Sequence, residues 1–506
     1  YVVSADSLKA LSAAVLVGAS RRLGRLLNNL RDLGKEAVHV LPPEEQYLVA
    51  TGRTYFRGLT FDRVRRLQFD LETTGLDPSR DRIFLIAVRD PEGRAVVLRG
   101  VNLANAHKQK PYLSFHQPED FRRLTDDWGM NHVRFLVLWS ALEPEKDQWD
   151  DAYLDSVAER MDWAQAAGLR VVLDMHQDIY GEGFGGDGAP RWTCAESHYQ
   201  KFTPTTPWFL NYIDPEVVAC VDEFWEGDEL RGHYREAWSR LAERLGTHPA
   251  VIGFDPMNEP FWGSHSTVTF DAEVLQPFYE DLTRQIRKHA PNWIGFFEPF
   301  AGRNLGFATS LGPFAVRDVV YAPHAYDTAA ESGKGFDPAG RAAFIARIAD
   351  LEADADALGV PLWIGEYGGP STSPGIEAYV DAAFDGTAAV AAGSAYWSYD
   401  RDDGYGLLKP DGIEKAEVLA QIVRPYPERI AGKLVDWTWD EAAKRLTVRF
   451  HPSARINAPT VIRVPPRIYP AGYRVICEGC STEQHPGEVP VSGRIVGDPA
   501  VIEVRP

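Results

Sequence analysis

The sequence predicts an α/β protein: a (β/α)8 barrel at 94–427, a C-terminal antiparallel β-sandwich at 428–506, and a short unrelated α+β segment at 1–93. Three observations lead there. Eight apolar, β-branched runs alternate with stretches of helical periodicity through the middle of the chain. From residue 428 the pattern changes to short alternating strands separated by Pro and Gly. No Gly-rich dinucleotide turn follows the first strand, which argues against a doubly wound sheet.

Composition bounds the function. The chain has 506 residues with 53 Lys and Arg against 72 Asp and Glu, a net charge of −19, which disfavours a partner bound by phosphate neutralisation, so no nucleic acid is expected. With 44% hydrophobic residues and 14 Trp it can bury a large core and stack flat surfaces in a cleft. No run approaches the ~20 apolar residues of a membrane-spanning helix. Residues 7–17 carry neither a basic region nor a small-residue cleavage site, so no export signal is visible.

The first 93 residues hold 14 Lys and Arg against 12 Asp and Glu, unlike the acidic remainder. They read as a helix at 7–34 and strands at 37–41, 66–71 and 82–89. Asp70-Leu71-Glu72-Thr73-Thr74-Gly75-Leu76 resembles the first metal-binding motif of the RNase-H-like 3′–5′ exonucleases, and 47–92 resembles the entrance to the exonuclease domain of family B DNA polymerases. Such sites hold two metals with four carboxylates. No partner motif follows Asp70 and Glu72, so the segment is expected to be non-catalytic. The alternative of another class is a metal-dependent nuclease or polymerase fragment.

The barrel elements follow in order. Strand 96–102 leads to helix 118–128, then strand 132–139. Helix 151–167 has Leu154, Val157, Met161 and Ala164 at helical spacing, and strand 170–176 follows. Next come helix 232–245, strand 251–255, helix 272–289, strand 294–297, strand 319–323, helix 339–358, strand 362–365, helix 375–392 and strand 394–398. In such a barrel the polar groups at the strands' C-terminal ends face the mouth, where catalysis occurs. That rule selects Asn102, Arg134, His176, Asp178, Asn258, Glu259, Glu298, His324, Tyr326, Glu366 and Trp397.

Glu259 after strand four and Glu366 after strand seven suit a retaining glycosidase. Two carboxyl groups ~5 to 5.5 Å apart can divide the work of nucleophile and acid/base. Glu259 is expected to be the acid/base and Glu366 the nucleophile. Glu298 is a third carboxylate, read as substrate-binding or structural. No His, Asp and Glu set at metal spacing accompanies His324, so neither metal nor cofactor is expected.

These residues resemble glycoside hydrolase family 5 over 94–426. The pieces are Arg134 in His-Val-Arg-Phe, Asp174-Met175-His176-Gln177, Asn258-Glu259-Pro260, His324-Ala325-Tyr326, Gly365-Glu366-Tyr367-Gly368 and Trp397. The resemblance implies that Asn258 bonds the sugar 2-hydroxyl and Tyr326 holds the nucleophile. It places His176 and His324 on the reacting sugar or the carboxylates, Arg134 beneath Glu366, and Trp397 under the sugar. Within the family the chain looks most like the endoglycoceramidases, through Arg99-Gly100-Val101-Asn102, Asp174 to Gly181, Gly188-Ala189-Pro190-Arg191-Trp192 and Tyr396 to Asp400. That likeness implies cleavage between a glycan and ceramide, with Asp178 and either Lys108 or Lys110 on sugar hydroxyls; Lys108 is preferred. The implied partner is a glycolipid or oligosaccharide, with transient contact to lipid surfaces or micelles, and the implied location is extracellular. Steryl β-glucosides, galactosylceramides, simple β-glucosides and cellulose remain alternatives.

The insertion 179–232 carries Phe184, Trp192, Phe202, Trp208, Phe209, Tyr212, Phe224 and Trp225. It reads as a groove for a lipid aglycone, as a small core of its own, or as both. The tail strands are expected at 435–439, 445–450, 461–464, 473–477 and 501–504. Cys477 with Cys480, and Cys194 with Cys220, are expected to form disulfides.

Overall fold

The computed structural model describes residues 88–493 and 495–506, together with 15–17, 19–22, 24, 72–73 and 83–85. The chain divides into two units, Tyr1–Arg66 and Leu67–Pro506, and the architecture below belongs to the second. Asp70 and the strands expected at 37–41 and 66–71 lie outside the described residues, as does the side chain of Glu72. The short strands Glu72–Thr73 and Ile83–Leu85 pair antiparallel.

Eight parallel strands form the barrel: β1 (Arg99–Leu103), β2 (His132–Val137), β3 (Arg170–Met175), β4 (Val251–Asp255), β5 (Ile294–Phe297), β6 (Val319–Tyr321), β7 (Trp363–Tyr367) and β8 (Gly393–Tyr396). Their order is β7-β8-β1-β2-β3-β4-β5-β6. A parallel bridge between Tyr321 and Leu362 brings β6 to β7 and closes the ring. Register sets Asn102 beside Arg134 and Asp174 beside Asp255, and the Arg134 side chain joins the two pairs, with Nη2 3.0 Å from Asp174 and 2.8 Å from Asp255.

The helices begin where local chemistry lets them. Helix α1 (Pro118–Asp126) has Pro at its start and a capping box between Gln117 and Asp120. In α2 (Asp151–Ala166) the Asp150 carboxylate accepts the Tyr153 amide, and Leu154, Val157, Met161 and Ala164 are buried as their spacing predicts. Further round come α3 (Pro215–Glu226), α4 (Asp228–Leu245), α5 (Gln276–Ile286), α6 (Arg341–Leu358) and α7 (Ile376–Ala389). Helix α6 ends on Gly359 at φ +71°, the left-handed cap that glycine adopts without a Cβ clash. The helix expected from 272 opens as a π turn over Asp271–Leu275 before α5, whose Pro277 has no amide hydrogen for a regular ladder.

The single strand expected at 96–102 is two. Ala95–Val96 pairs with Arg429 and Ile430 in the tail, and β1 starts only at Arg99. Asn131 makes the break: its side-chain amide donates to the Val97 carbonyl (2.9 Å) and its oxygen accepts the Arg99 amide (2.9 Å), taking up backbone groups that a continuous strand would pair.

The tail has two antiparallel sheets, built from β9 (Tyr426–Ile430), β10 (Gly432–Asp440), β11 (Arg445–Pro452), β12 (Thr460–Arg463), β13 (Arg474–Cys477), β14 (Cys480–Thr482), β15 (Glu488–Gly493) and β16 (Ala500–Arg505). One sheet runs β14-β15-β12-β9 and ends on Ala95–Val96; the other runs β10-β11-β16-β13. Pro427 and Pro490 interrupt the apolar alternation of β9 and β15, which hid both from a pattern reading. Trp437, Phe450, Val489 and Ile502 pack between the sheets, and Phe384 and Ala388 of α7 belong to the same cluster. Glu428 of β9 is buried and accepts from Arg463 Nε at 2.8 Å and from Arg170 Nη1 of barrel strand β3 at 3.4 Å. The tail therefore shares both a core and a half-buried ion pair with the barrel.

All four cysteines are paired, Cys194 with Cys220 and Cys477 with Cys480. The first bridge lies within the β3 insertion, tying its early part to α3, and the second closes the turn from β13 to β14. Among the described residues, no helix is long and apolar enough to cross a membrane.

Candidate active site

At the C-terminal mouth of the barrel lies a cavity of about 430 Å³. Lys108, His176, Asp178, Asn258, Glu259, Tyr326, Glu366 and Trp397 line it, all of them expected from strand-end position or from the resemblance. Arg134 lies directly beneath. Its guanidinium is fully buried and donates to Asp255 Oδ2 (2.8 Å), Asn258 Oδ1 (2.9 Å), Glu298 Oε1 (2.9 Å), Asn102 Oδ1 (3.1 Å) and Glu366 Oε1 (2.5 Å). Asp174 Oδ1 stands 3.0 Å from the same group. A planar five-donor fork can serve so many acceptors where an ammonium could not.

Glu259 and Glu366 each place a carboxylate oxygen within 4.8 Å of the other's and of a His324 ring nitrogen. The Glu366 carboxylate is held from two sides, by Arg134 and by the Tyr326 hydroxyl, which donates to Oε2 at 2.8 Å. Glu259 Oε1 is met by His324 Nδ1 at 2.9 Å and accepts from the Asn304 side-chain amide at 2.9 Å. The Glu259 backbone is in the left-handed region, φ +40°, a conformation a residue with a Cβ adopts only under constraint. Two groups supply that constraint: Glu298 Oε2 accepts the Glu259 amide at 3.0 Å, and the Gln177 side chain donates to the Glu259 carbonyl at 3.0 Å. Glu298 thus works behind Glu259, the structural half of its expected role.

The electrostatics follow from burial. Burial pushes Glu366 above the ordinary carboxylate range, against the opposing pull of His324 and Arg134. Arg134 was expected to keep Glu366 ionised, but its single charge is shared among Asp174, Asp255, Glu298 and Glu366, so it offsets burial only in part. Burial also lifts Glu298, to about 8, with Asp255 adding to the effect and His324 opposing it. His324 has carboxylates at both ring nitrogens, with Nε2 standing 3.1 Å from Glu298 Oε1. Burial alone would lower its proton affinity, but Glu298, Glu366 and Glu259 raise it well above the usual histidine value.

On the other side of the cavity, the indole of Trp397 stacks on His176 at 5.2 Å and 19°, and the Lys108 ammonium lies 4.5 Å from its ring centroid. His176 Nδ1 is 2.7 Å from Asp174 Oδ2. Lys108 pairs with Asp178, whereas Lys110 is largely exposed and stands 4.0 Å from Glu182, away from the cavity. Asn258 is fixed by donating to the Gln177 carbonyl at 3.1 Å while accepting from Arg134. Asn102 is buried below the cavity and donates to the Gly365 carbonyl at 3.1 Å, orienting β7 just before Glu366.

Sequence reasoning did not find Asn304, Asp187, Glu331 or Tyr405. Asn304 sits in a 3-10 turn, Ala301–Leu305, Glu331 ends a single helical turn, Thr328–Glu331, and Asp187 and Tyr405 lie on loops, so no periodicity marks them. Glu331 lines the cavity and is pushed up to about 8 by burial and by the charges of Glu259 and Glu366.

Most aromatics of the β3 insertion form a core. Phe224 and Trp225 enclose, with Trp139, Tyr234 and Phe261, a crevice of about 40 Å³, far below the ~150 Å³ that a benzene-sized guest occupies. Phe184 packs on Tyr199 and Phe202. Trp208 differs: it lines the cavity and remains 43% exposed. Leu210 and Ile213 follow it on the surface, and Leu305 and Phe307, just beyond Asn304, are also exposed.

Three sets of side chains among the described residues bring potential metal-ligating atoms together. Two are in the cavity, Glu259 with His324 and Glu366, and His176 with Asp178 and Asp187; the third is Glu143 with Asp147 and His233. In the third, Glu143 is already committed to the Trp139 indole (3.0 Å), the Asp147 amide (2.9 Å) and the His233 ring (2.7 Å).

Comparison with known proteins places this geometry. Residues 90–403 match the family described as "Cellulase (glycosyl hydrolase family 5)", and 424–491 match the "Glycoside hydrolase family 5 C-terminal domain". The chain is 31% identical over 423 residues to Endoglycoceramidase I of Rhodococcus hoagii (strain 103S), covering 79% of this chain and 82% of that protein. Endo-glycoceramidase II from Rhodococcus sp., solved as a complex with ganglioside GM3, superposes with a TM-score of 0.75 at 30% identity, over 83% of this chain and 99% of that one. Sterylglucosidase 1 of Cryptococcus neoformans shares the fold, with a TM-score of 0.73 at 16% identity over 86% of this chain and 97% of that one.

Proposed function

Since the chain belongs to glycosyl hydrolase family 5, we propose that it is a retaining β-glycosidase that separates a glycan from a lipid aglycone, as an endoglycoceramidase does. One observation carries the chemistry: Glu259 and Glu366, from the ends of β4 and β7, bring carboxylate oxygens within 4.8 Å of each other. That spacing suits direct attack by one carboxylate and leaves no room for the water that an inverting enzyme places between them.

Glu366 attacks the anomeric carbon while Glu259 protonates the departing oxygen. The sugar is then an ester of Glu366, and Glu259, now a base, activates water to release it with retained configuration. Tyr326 and Arg134 hold the attacking carboxylate, and His324 stands between the two glutamates with a high proton affinity. Trp397 gives the reacting sugar a flat floor, with Lys108 and Asp178 at its edge to meet hydroxyls.

The lipid reading rests on the rim. Trp208, Leu210 and Ile213 from the β3 insertion, with Leu305 and Phe307 beyond β5, leave apolar surface exposed, and Trp208 continues into the cavity. Exposed apolar side chains on the loops that flank the site suit an alkyl aglycone better than another sugar. The test is mass-spectrometric product analysis with gangliosides, lactosylceramide, glucosylceramide, steryl glucoside and cello-oligosaccharides. Release of intact oligosaccharide with ceramide is the expected result. Release of single sugars only, or cleavage confined to cello-oligosaccharides, would discard the lipid substrate while keeping the two glutamates.

A further inference from the structure

Asp187 lies in the cavity wall, yet neither the strand-end rule nor the catalytic cycle above uses it. It is 4% exposed, and its Oδ1 has no hydrogen-bond partner in the protein. The chain goes to some length to put it there. The Asp178 amide donates to the Asp187 carbonyl at 3.0 Å, and the Asp187 amide returns the bond to Asp178 at 3.1 Å, so the two aspartates form a two-residue antiparallel ladder. The glycines on either side make that approach possible. A Cβ on Gly186 would lie 1.8 Å from the Asp178 carbonyl oxygen. Gly188, at φ +112°, would meet the Gln177 side chain at 2.5 Å. Gly-Asp-Gly here is a clip on the end of β3, and Asp187 is its one side chain.

The clip faces Lys108. The ammonium bonds to Asp178, stands 3.8 Å from Asp187 Oδ2, and lies over the Trp397 ring. Atoms of His176, Asp178 and Asp187 within 4.8 Å of one another would suit a cation, and the cation they face is this ammonium. Two carboxylates so close compete for one ammonium, which drives one of them toward its protonated form. Burial works against Asp178, yet Lys108 holds it below the ordinary range; burial and the charge of Asp178 push Asp187 well above it. Of the two, Asp187 is the one driven toward its protonated form, in which its hydroxyl can donate to Asp178.

We propose that Asp187 is a positioning residue: through Asp178 it fixes the Lys108 ammonium on the face of Trp397, so that the remaining N–H donors point at a sugar hydroxyl. A lysine side chain that must be ordered on binding loses rotamer entropy, and the clip removes that cost beforehand. The inference rests on the cavity being the glycan site, as proposed above.

The test is a double-mutant cycle on a lactosyl aryl glycoside. Asp187→Ala should raise KM by about 10- to 100-fold and change kcat by less than about threefold, the split expected for lost binding common to ground and transition states. Lys108→Ala should cost as much, and the double variant no more than Lys108→Ala alone. Asp187→Asn, whose amide can donate to Asp178, should recover most of the loss. Fully additive losses, or an Asn variant as poor as Ala, would overturn the proposal. A second readout needs no turnover: acetylation of Lys108 by acetic anhydride, followed by peptide mass mapping, should be faster in Asp187→Ala than in wild type or Asp187→Asn. Equal rates in all three would overturn the positioning role even in a protein that cleaves no lactoside. Inactivity toward every glycoside, with Lys108 still protected by Asp187, would instead overturn the functional reading alone. Asp187→Ser, with a side chain too short to reach Asp178, replaces Asp187→Ala where the latter does not fold.

Discussion

Glu366 shows how one side chain's chemistry is set by its neighbours. Burial and Glu259 favour its proton, while His324, Arg134 and Lys108 favour its charge. Glu366→Gly should lose turnover by about 10⁴-fold or more, and azide or formate should restore part of it with product of inverted configuration. Glu259→Ala should slow substrates with poor leaving groups by about 10²- to 10⁴-fold and largely spare the first step on dinitrophenyl glycosides. The opposite pattern would exchange the two roles. Arg134 is the second test at this scale. Arg134→Met leaves Asp174, Asp255, Glu298 and Glu366 around an uncharged thioether, and should cost about 3 to 5 kcal/mol in urea unfolding besides abolishing activity. Unchanged stability would mean that these carboxyls are already protonated in the native protein.

At the scale of elements, the β3 insertion does two things. Its inner aromatics and the Cys194–Cys220 bridge give it a core fused to the barrel, while the turn Trp208–Ile213 leaves three apolar side chains outside. Trp208→Ala and Phe307→Ala should raise KM for lactosylceramide in detergent micelles by about 10-fold each, since truncating a ring forfeits roughly 1 to 3 kcal/mol of apolar contact. Both should act normally on a lactosyl aryl glycoside. Equal losses on both substrates would assign these residues to the fold of the cavity and not to the lipid. The tail behaves differently, because its sheet takes a strand from before the barrel, Ala95–Val96, and its core includes Phe384 of α7.

The whole molecule carries a balance of titrating groups with a defined pH signature. His107, His116 and His132 are buried and pushed down by burial from 6.5 to about 3. Their folded values are depressed, so the stability they contribute is present above 6.5 and is lost as pH falls from there toward about 3, each by up to ~1.4 kcal/mol per pH unit. Glu298 and Glu331, pushed up to about 8 by burial, act in the other direction. Their contribution is present below the unfolded value of 4.5 and is lost as pH rises through about 8. From these five groups, calorimetry should show the unfolding midpoint rising as pH falls from 8 to 6.5, falling gently from 6.5 to 4.5, where three histidines outweigh two carboxyls, and falling more steeply below about 4.5, where the two carboxyls no longer oppose them. A midpoint unchanged between pH 8 and 6.5 would show that the carboxyls in the mouth are not perturbed.

Much was legible without coordinates because it depends on short-range regularities. The alternation of β-branched runs with helical spacing reveals the barrel, and the change from apolar to polar at the ends of its strands picks out Asn258, Glu259, His324, Tyr326 and Glu366, since in a barrel a strand's C-terminal end has one place to go. The rest depends on which loops meet. Asn304 and Asp187 lie on a 3-10 turn and a glycine clip whose contacts span 45 and 79 residues, to Glu259 and Lys108, and no local pattern encodes such a meeting. The choice of Lys108 over Lys110 was equally tertiary, since two residues in sequence separate an ammonium held over Trp397 from one in water. The split of the first strand at Asn131 is of the same kind: the β-branched run reads as continuous, and only a side chain arriving from the start of β2 can satisfy the backbone where it breaks. Sequence by itself determined the architecture and singled out the two glutamates that the structure brings together, because periodicity and strand ends are local. Tertiary structure alone decided the charge sharing at Arg134, the aim of Lys108 and the apolar rim, because each is a sum over groups that only folding brings within a few ångströms.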